Sequence, residues 1–204
     1  MSTPKKLSDF RLSKTLSWLL RHGAVKERLT IGADGYIRVA DLLNHRSLKG
    51  KCSIDDIKKI VETNDKQRFS LRCDENNELE ICANQGHSLQ CITEIAVIPL
   101  TDTDAVVIHG TYYKHWATIK SQGLSRMSRN HIHFATGLPN DKTVISGIRR
   151  SAEVFIYIDL TKALSDGIKF YKSLNNVILS PGDENGFIKP KYFLKVVDKQ
   201  NRLL

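Results

Sequence analysis

The sequence holds a small set of side chains suited to gripping a phosphate. In "LLRHGAV", Arg21 stands beside His22 at the end of an apolar run. Arg68 lies in "NDKQRFSL", and "ANQGHS" gathers Asn84, Gln85, His87 and Ser88 around Gly86. A guanidinium is planar and permanently charged, with paired donors that match phosphate oxygens. An imidazole exchanges protons near neutral pH. Plainer readings stand beside these. Basic residues suit the carbonyl end of any helix. Arg68 belongs to a polar run with Asp65 and Lys66, and "ANQGHS" also reads as an ordinary loop.

A second set lies further on. "VIHGTYY" places His109, Gly110 and Thr111 at the end of an apolar segment. Glycine allows close backbone approach to a ligand, and histidine offers a ring face and two nitrogens. In "RNHIHFA", His131 and His133 are two apart, so on a strand they share one face. Two such histidines suit zinc, but neither a third ligand nor a nearby catalytic acid accompanies them. No GxGxxG follows a strand and no GxxxxGK[ST] is present, which argues against a Rossmann or P-loop site.

These residues need elements to position them. Leu12, Leu16, Leu19 and Leu20 recur at helical spacing and predict a helix from about Asp9 to Arg21. Tyr36 to Val39 reads as a short extended piece after the Gly32–Gly35 turn, followed by a short helix over Val39 to Asn44. Ser53, with Asp56 three residues later, predicts the start of a third helix. Phe69, Leu71 and Cys73, then Leu79, Ile81 and Ala83, alternate with polar residues and predict a hairpin. Three helices and a hairpin follow the order of a winged helix. Residues 88 to 104 read as a connection. Beyond it, strands are expected at Ala105 to Ile108, His131 to Ala135, Glu153 to Asp159, Val177 to Leu179 and Tyr192 to Val197. A helix over "TYYKHWATIKSQGL" should close at Gly123. The fold expected is α+β with a largely antiparallel second half.

The 204 residues suffice for one or two cores, and the net charge is +9. That excess is shared, +4 up to residue 90 and +5 beyond, so it is not a basic tail on a neutral enzyme. A polyanionic partner fits this balance. Cys52, Cys73, Cys82 and Cys91 form no CxxC pair, which fits free thiols in a reducing, intracellular compartment. The N-terminal "MSTPKKLSDF" lacks the apolar core of a signal peptide, and no apolar run approaches the ~18 residues of a membrane span.

Taken together, "LSKTLSWLLRH", "DGYIRVADLL", "NDKQRFSL", "ANQGHS", "HGTYYKHWATIKSQGL", "MSRNHIHFA" and "NNVILSPG" resemble the NAD-dependent tRNA 2′-phosphotransferases, in detail most like fungal members. The resemblance implies a winged-helix lobe over 1–90 that binds RNA phosphate. It implies an ADP-ribosyltransferase-like lobe over 91–204 that binds NAD. It implies removal of the splice-junction 2′-phosphate of ligated tRNA. The RNA phosphate attacks C1″ of the NAD ribose and nicotinamide leaves, giving a 2′-phospho-ADP-ribosylated RNA. The ribose O2″ then attacks phosphorus, releasing RNA and ADP-ribose 1″,2″-cyclic phosphate without a metal.

The family's Arg-His-Arg-Arg group maps onto Arg21, His22, Arg68 and Arg129, with Arg126, Arg149 and Arg150 as rivals for the fourth place. His87 joins Arg21, His22 and Arg68 as a contact for RNA phosphate. NAD-cradling positions map onto His109, Gly110, Thr111, Gly123, Leu124 and His133. Where many ADP-ribosyltransferases carry a glutamate, "NNVILSP" has Val177 and no acid, as suits a nucleophile that is already an anion. A monomer in the cytoplasm or nucleus is expected. Two other readings remain open: an ADP-ribosyltransferase acting on phosphorylated nucleic-acid ends, and a non-catalytic winged-helix nucleic-acid-binding protein.

Overall fold

The computed structural model describes residues 6–204, so the first five residues of "MSTPKKLSDF" lie outside it. The chain divides into two compact units, Met1–Ala96 and Val97–Leu204. Helices are mixed with sheets whose strand pairs are all antiparallel among the described residues, an α+β arrangement.

In the first unit α1 spans Asp9–Trp18, and Ser8 caps it by accepting from the Arg11 N–H. The helix does not stop at Arg21. It widens into a π turn over Leu19–Gly23, closed by the Ala24 N–H donating to the Leu19 carbonyl at 2.9 Å. The extra residue in this turn lets Leu19, Leu20, Gly23 and Ala24 all face the core while His22 stays exposed. That change of period is why a plain helical reading ends too early. Next come β1 (Ile37–Arg38), α2 (Val39–Asn44) and α3 (Ile54–Thr63). Ser53 and Asp56 form the expected capping box. The hairpin is β2 (Phe69–Cys73) and β3 (Leu79–Ala83), and β1 pairs with β3 to give the order β1-β3-β2. Its core joins Leu12, Leu16, Leu19 and Leu20 to Ile57, Ile60, Phe69 and Ile81.

The second unit begins earlier than the hydrophobic pattern indicates. β4 (Val97–Pro99) lies inside the expected connection. The next strand, β5, is Ile108–Thr111 rather than Ala105–Ile108. An apolar count stops at His109, but the pairing continues through Gly110↔Phe155 and Thr111↔Val154. α4 (Tyr113–Gln122) closes at Gly123 as expected. β6 (Leu124–Ser125), β7 (Ile132–Phe134), β8 (Val154–Ile158), α5 (Leu160–Ser165), β9 (Tyr171–Ser173), β10 (Ile178–Ser180), β11 (Phe187–Ile188) and β12 (Phe193–Asp198) follow. Strands run in the orders β4-β9-β10-β7 and β12-β8-β5, with β11 paired to β6. His131 falls just outside β7, so only His133 is a strand residue.

A single bridge ties the two larger sheets together. The Ile108 N–H donates to the Ala135 carbonyl at 2.9 Å, and the Ala135 N–H returns to Ile108 at 2.8 Å. Phe134, Phe170, Ile156 and Ile178 pack beneath it. The bridge sets His109 and His133 side by side at a sheet edge.

Candidate active site

The first unit gathers its candidate residues around one segment, 84–88, leaving β3. The Asn84 N–H donates to the Arg68 carbonyl at 2.9 Å, and the Asn84 side-chain amide donates to the Gln67 carbonyl at 2.7 Å. At the other end of the segment the Ser88 N–H donates to the Arg21 carbonyl at 3.0 Å. The Ser88 hydroxyl also hydrogen bonds His22 Nδ1 at 2.8 Å. A five-residue stretch thus links the π turn that bears Arg21 and His22 to the start of the hairpin beside Arg68.

Side chains fill this frame closely. Gly86 has φ +94°, and a Cβ there would lie 3.3 Å from Arg21 Nε and 3.4 Å from its Cζ. The Arg21 guanidinium therefore lies flat over bare backbone. Asn84, Gln85 and His87 are buried. His87 Nε2 comes within 3.4 Å of where a Cβ on Gly35 would stand, so His87 is packed behind the edge. Arg68 remains 29% exposed, and its Nη1 donates to Asn64 Oδ1 at 3.1 Å. Asp65 Oδ1 stands off at 3.8 Å on an 80% exposed side chain, and such a pair contributes little. Arg68 is thus oriented chiefly by a neutral amide.

The second unit brings together a different set. The His109 Nδ1 donates to the His133 carbonyl at 2.9 Å, with the ring edge-on to Phe134. A carbonyl only accepts, so Nδ1 carries the proton and neutral His109 presents Nε2 as acceptor. Desolvation lowers the His109 pKa, partly opposed by that hydrogen bond. Thr111 is buried, and its carbonyl accepts from the Glu153 N–H at 2.7 Å. The close approach allowed by Gly110 is made by the chain itself: a Cβ there would meet Ile148 Cγ1 at 2.4 Å and Ala152 at 3.0 Å. Gly123 has φ +98° with the Ile188 carbonyl against it, and Leu124 is core. Cap and packing account for both residues.

Of the four candidate arginines, Arg126, Arg129 and Arg149 separate by what they hold, and Arg150 is exposed. Arg126 Nη1 donates to the Arg129 carbonyl at 3.0 Å, and its stem covers Gly186. Arg126 therefore builds the turn that carries Arg129. Arg129 is exposed by area, yet desolvation, then the positive charge of Arg149, pushes its pKa down. No carboxylate pairs with Arg129 or Arg149 among the described residues. The Tyr112 phenol meets the Ser151 hydroxyl at 2.8 Å, and that contact, then Arg149, holds its pKa below the ordinary value. Tyr112 lies in "VIHGTYY" and Arg149 among the rival arginines, so the sequence holds these members of the group but not their meeting. His131 stacks edge-on with Tyr171, and no group of three or more His, Cys, Asp or Glu is placed to hold a metal among the described residues.

Two outcomes follow. Gly86→Ala forces a side chain into positive φ and against Arg21, so chemical denaturation should show a loss of roughly 1–2 kcal/mol. Titration with a phosphate-bearing oligonucleotide should show weaker binding. For His109 the ordinary value is 6.5 and the folded one lies lower. As pH falls from there toward the folded pKa, only the unfolded chain takes up the proton, so stability falls with pH in that window. Above it the contribution is fully present. Denaturant midpoints measured across pH should fall less steeply on the acid side for His109→Gln than for the native chain.

Comparison with known proteins places this architecture. Residues 7–182 match the model of the RNA 2′-phosphotransferase, Tpt1/KptA family. The tRNA 2′-phosphotransferase 1 of Danio rerio is 50% identical over 190 residues, covering 91% of this chain and 84% of that protein. The human tRNA 2′-phosphotransferase 1 is 47% identical, covering 91% and 74%. The tRNA 2′-phosphotransferase of Saccharomyces cerevisiae is 43% identical, covering 97% and 87%. Vertebrate relatives match at least as well as this fungal one, so the sequence detail does not single out fungi. With the match spanning both units, the chain belongs to the RNA 2′-phosphotransferase, Tpt1/KptA family.

Proposed function

We propose that this protein is a tRNA 2′-phosphotransferase that transfers the internal 2′-phosphate of ligated tRNA to NAD. The first unit then acts as a winged-helix lobe that takes the RNA phosphate, and the second as an ADP-ribosyltransferase-like lobe that takes NAD. The observation that carries this reading is the joining of Arg21, His22 and Arg68 through one hydrogen-bonded segment. Arg129, desolvated beside Arg149 with no carboxylate, is the fourth member. The same two arginines fit an anionic dinucleotide, and His109 with a fixed tautomer fits its ribose edge.

NAD supplies the ribose C1″ electrophile and nicotinamide as leaving group. The protein's part is positioning and charge. Holding two reactants in line contributes on the order of 7–11 kcal/mol. Arginines stay protonated through both steps and hold the phosphate without titrating. When O2″ attacks phosphorus, negative charge builds on the phosphoryl oxygens, and Arg21 and Arg68 stabilise it. His22, oriented by Ser88, exchanges the proton: it activates O2″ or protonates the departing RNA O2′.

The deciding experiment incubates the protein with a short RNA bearing an internal 2′-phosphate, with and without NAD. Nicotinamide release with loss of the phosphate is the expected result, and tight RNA binding without NAD consumption sinks the proposal. Arg68→Ala should let the ADP-ribosylated RNA accumulate, as seen on a denaturing gel. His22→Ala should slow the second step more than the first; equal slowing would remove its proton role.

A further inference from the structure

α1 carries outward side chains that the phosphate site leaves unused, in a row that runs on to His22. Phe10, Lys14, Trp18, His22 and Lys26 recur every four residues, and all five are exposed. A four-residue step advances about 400° around an α-helix, so Phe10, Lys14 and Trp18 drift about 40° per step and together span about 80° of one face of α1, while His22 and Lys26 follow in and beyond the π turn. Aromatic and basic side chains alternate along it, with Arg11 exposed at its start. Asp9, the one acid within α1, is already paired with Lys59 at 2.8 Å. The row is therefore positive and aromatic, with Phe10 77% and Trp18 40% exposed.

Trp18 is held, not loose. A Cβ on Gly23 would lie 2.5–2.7 Å from three atoms of its six-membered ring, so the indole rests on the bare backbone of the π turn. A fixed, part-exposed indole stands one turn before His22, and side chains so spaced are about 5–6 Å apart at Cβ. That is within reach of the nucleotide adjoining one whose phosphate is held at Arg21 and His22. The complement of alternating rings and cations is a single-stranded nucleic acid: bases stack on the rings and phosphates meet the cations.

We propose that this row is the track for the single-stranded RNA flanking the 2′-phosphate, and that Trp18 stacks on the base next to the phosphorylated nucleotide. This rests on the reading of Arg21 and His22 as phosphate holders. Lys14 and Arg11 then meet backbone phosphates farther along the same strand. Trp18 is a positioning residue: it fixes where the RNA lies and takes no part in bond making. Stacking reads no sequence, so the track accepts any base.

The test is a binding cycle without NAD. The probes are a short single-stranded RNA with one internal 2′-phosphate, and the same RNA with an abasic residue at the 5′ or the 3′ neighbour. The native chain should lose about tenfold in affinity when one of those two bases is removed. Trp18→Ala should bind the intact RNA about tenfold more weakly and be indifferent to that base. Trp18→Leu keeps an apolar cover over Gly23 but has no ring, and should behave as Trp18→Ala; Trp18→Phe should retain most of the base dependence. Comparing two RNAs on each protein isolates the pairwise coupling from any general damage. Equal abasic penalties in the native and Trp18→Leu proteins overturn the proposal, as does the absence of any penalty in the native chain. A third RNA lacking the 2′-phosphate keeps the two readings apart. If the phosphate adds nothing to native affinity, the phosphate-holding role of Arg21 and His22 fails, while the Trp18–base coupling is still read on its own.

Discussion

The first unit's site depends on the hydrogen bond from the Ser88 N–H to the Arg21 carbonyl. That carbonyl lies in the π turn, where the usual helical partner is displaced by one residue. An α-helical turn at this place would rotate Arg21 and His22 relative to Leu19 and Leu20. With the turn widened, four consecutive demands are met at once: two leucines inward, one arginine along the edge, one histidine outward. The segment 84–88 reads that geometry and locks it, through the backbone at Ser88 and through the ring of His22. Its other end is fixed by the hairpin, because Asn84 donates to Arg68 in continuation of the Phe69↔Ala83 pairing. Local backbone irregularity on one element is thus held by regular pairing on another.

The second unit uses the same economy at a sheet junction. One residue pair, Ile108 and Ala135, joins two sheets, and the side chain next to each member is a histidine or a core aromatic. His109 gains its tautomer from a backbone carbonyl and its lowered basicity from burial. Both effects follow from the sheets meeting there.

The parts of this architecture legible in the sequence are those written in local signals. The helix over Val39–Asn44, the Ser53–Asp56 cap and the hairpin carry their period or their cap within about ten residues. β4, β6 and β11 are two or three residues long, too short for a period, and exist because a distant strand presents the right edge. The π turn is equally silent, since its cause is the simultaneous burial of Leu19, Leu20 and Ala24. At the site, residue types were visible but partnerships were not. The link from Arg21 to Ser88, and of both through Asn84 to Arg68, crosses the whole first unit. Arg126 and Arg129 look alike in sequence and differ only in that one builds the turn bearing the other.

How the arginines are held separates structure from function. Arg38, Arg46, Arg72 and Arg202 each meet a carboxylate at 2.6–3.3 Å, and their charge is consumed by the fold. Arg68 is oriented instead by an asparagine oxygen, and the backbone of Arg129 is held by Arg126. A neutral acceptor aims a guanidinium without neutralising it, whereas a carboxylate would compete with an incoming phosphate for the same donors. Desolvation raises the cost of leaving such a cation without a counter-charge, and raises equally what an anionic ligand recovers by supplying one. A fold that sets Arg129 beside another arginine, and holds Arg68 chiefly by an amide, therefore leaves at each place a cation whose counter-charge an anionic ligand would supply.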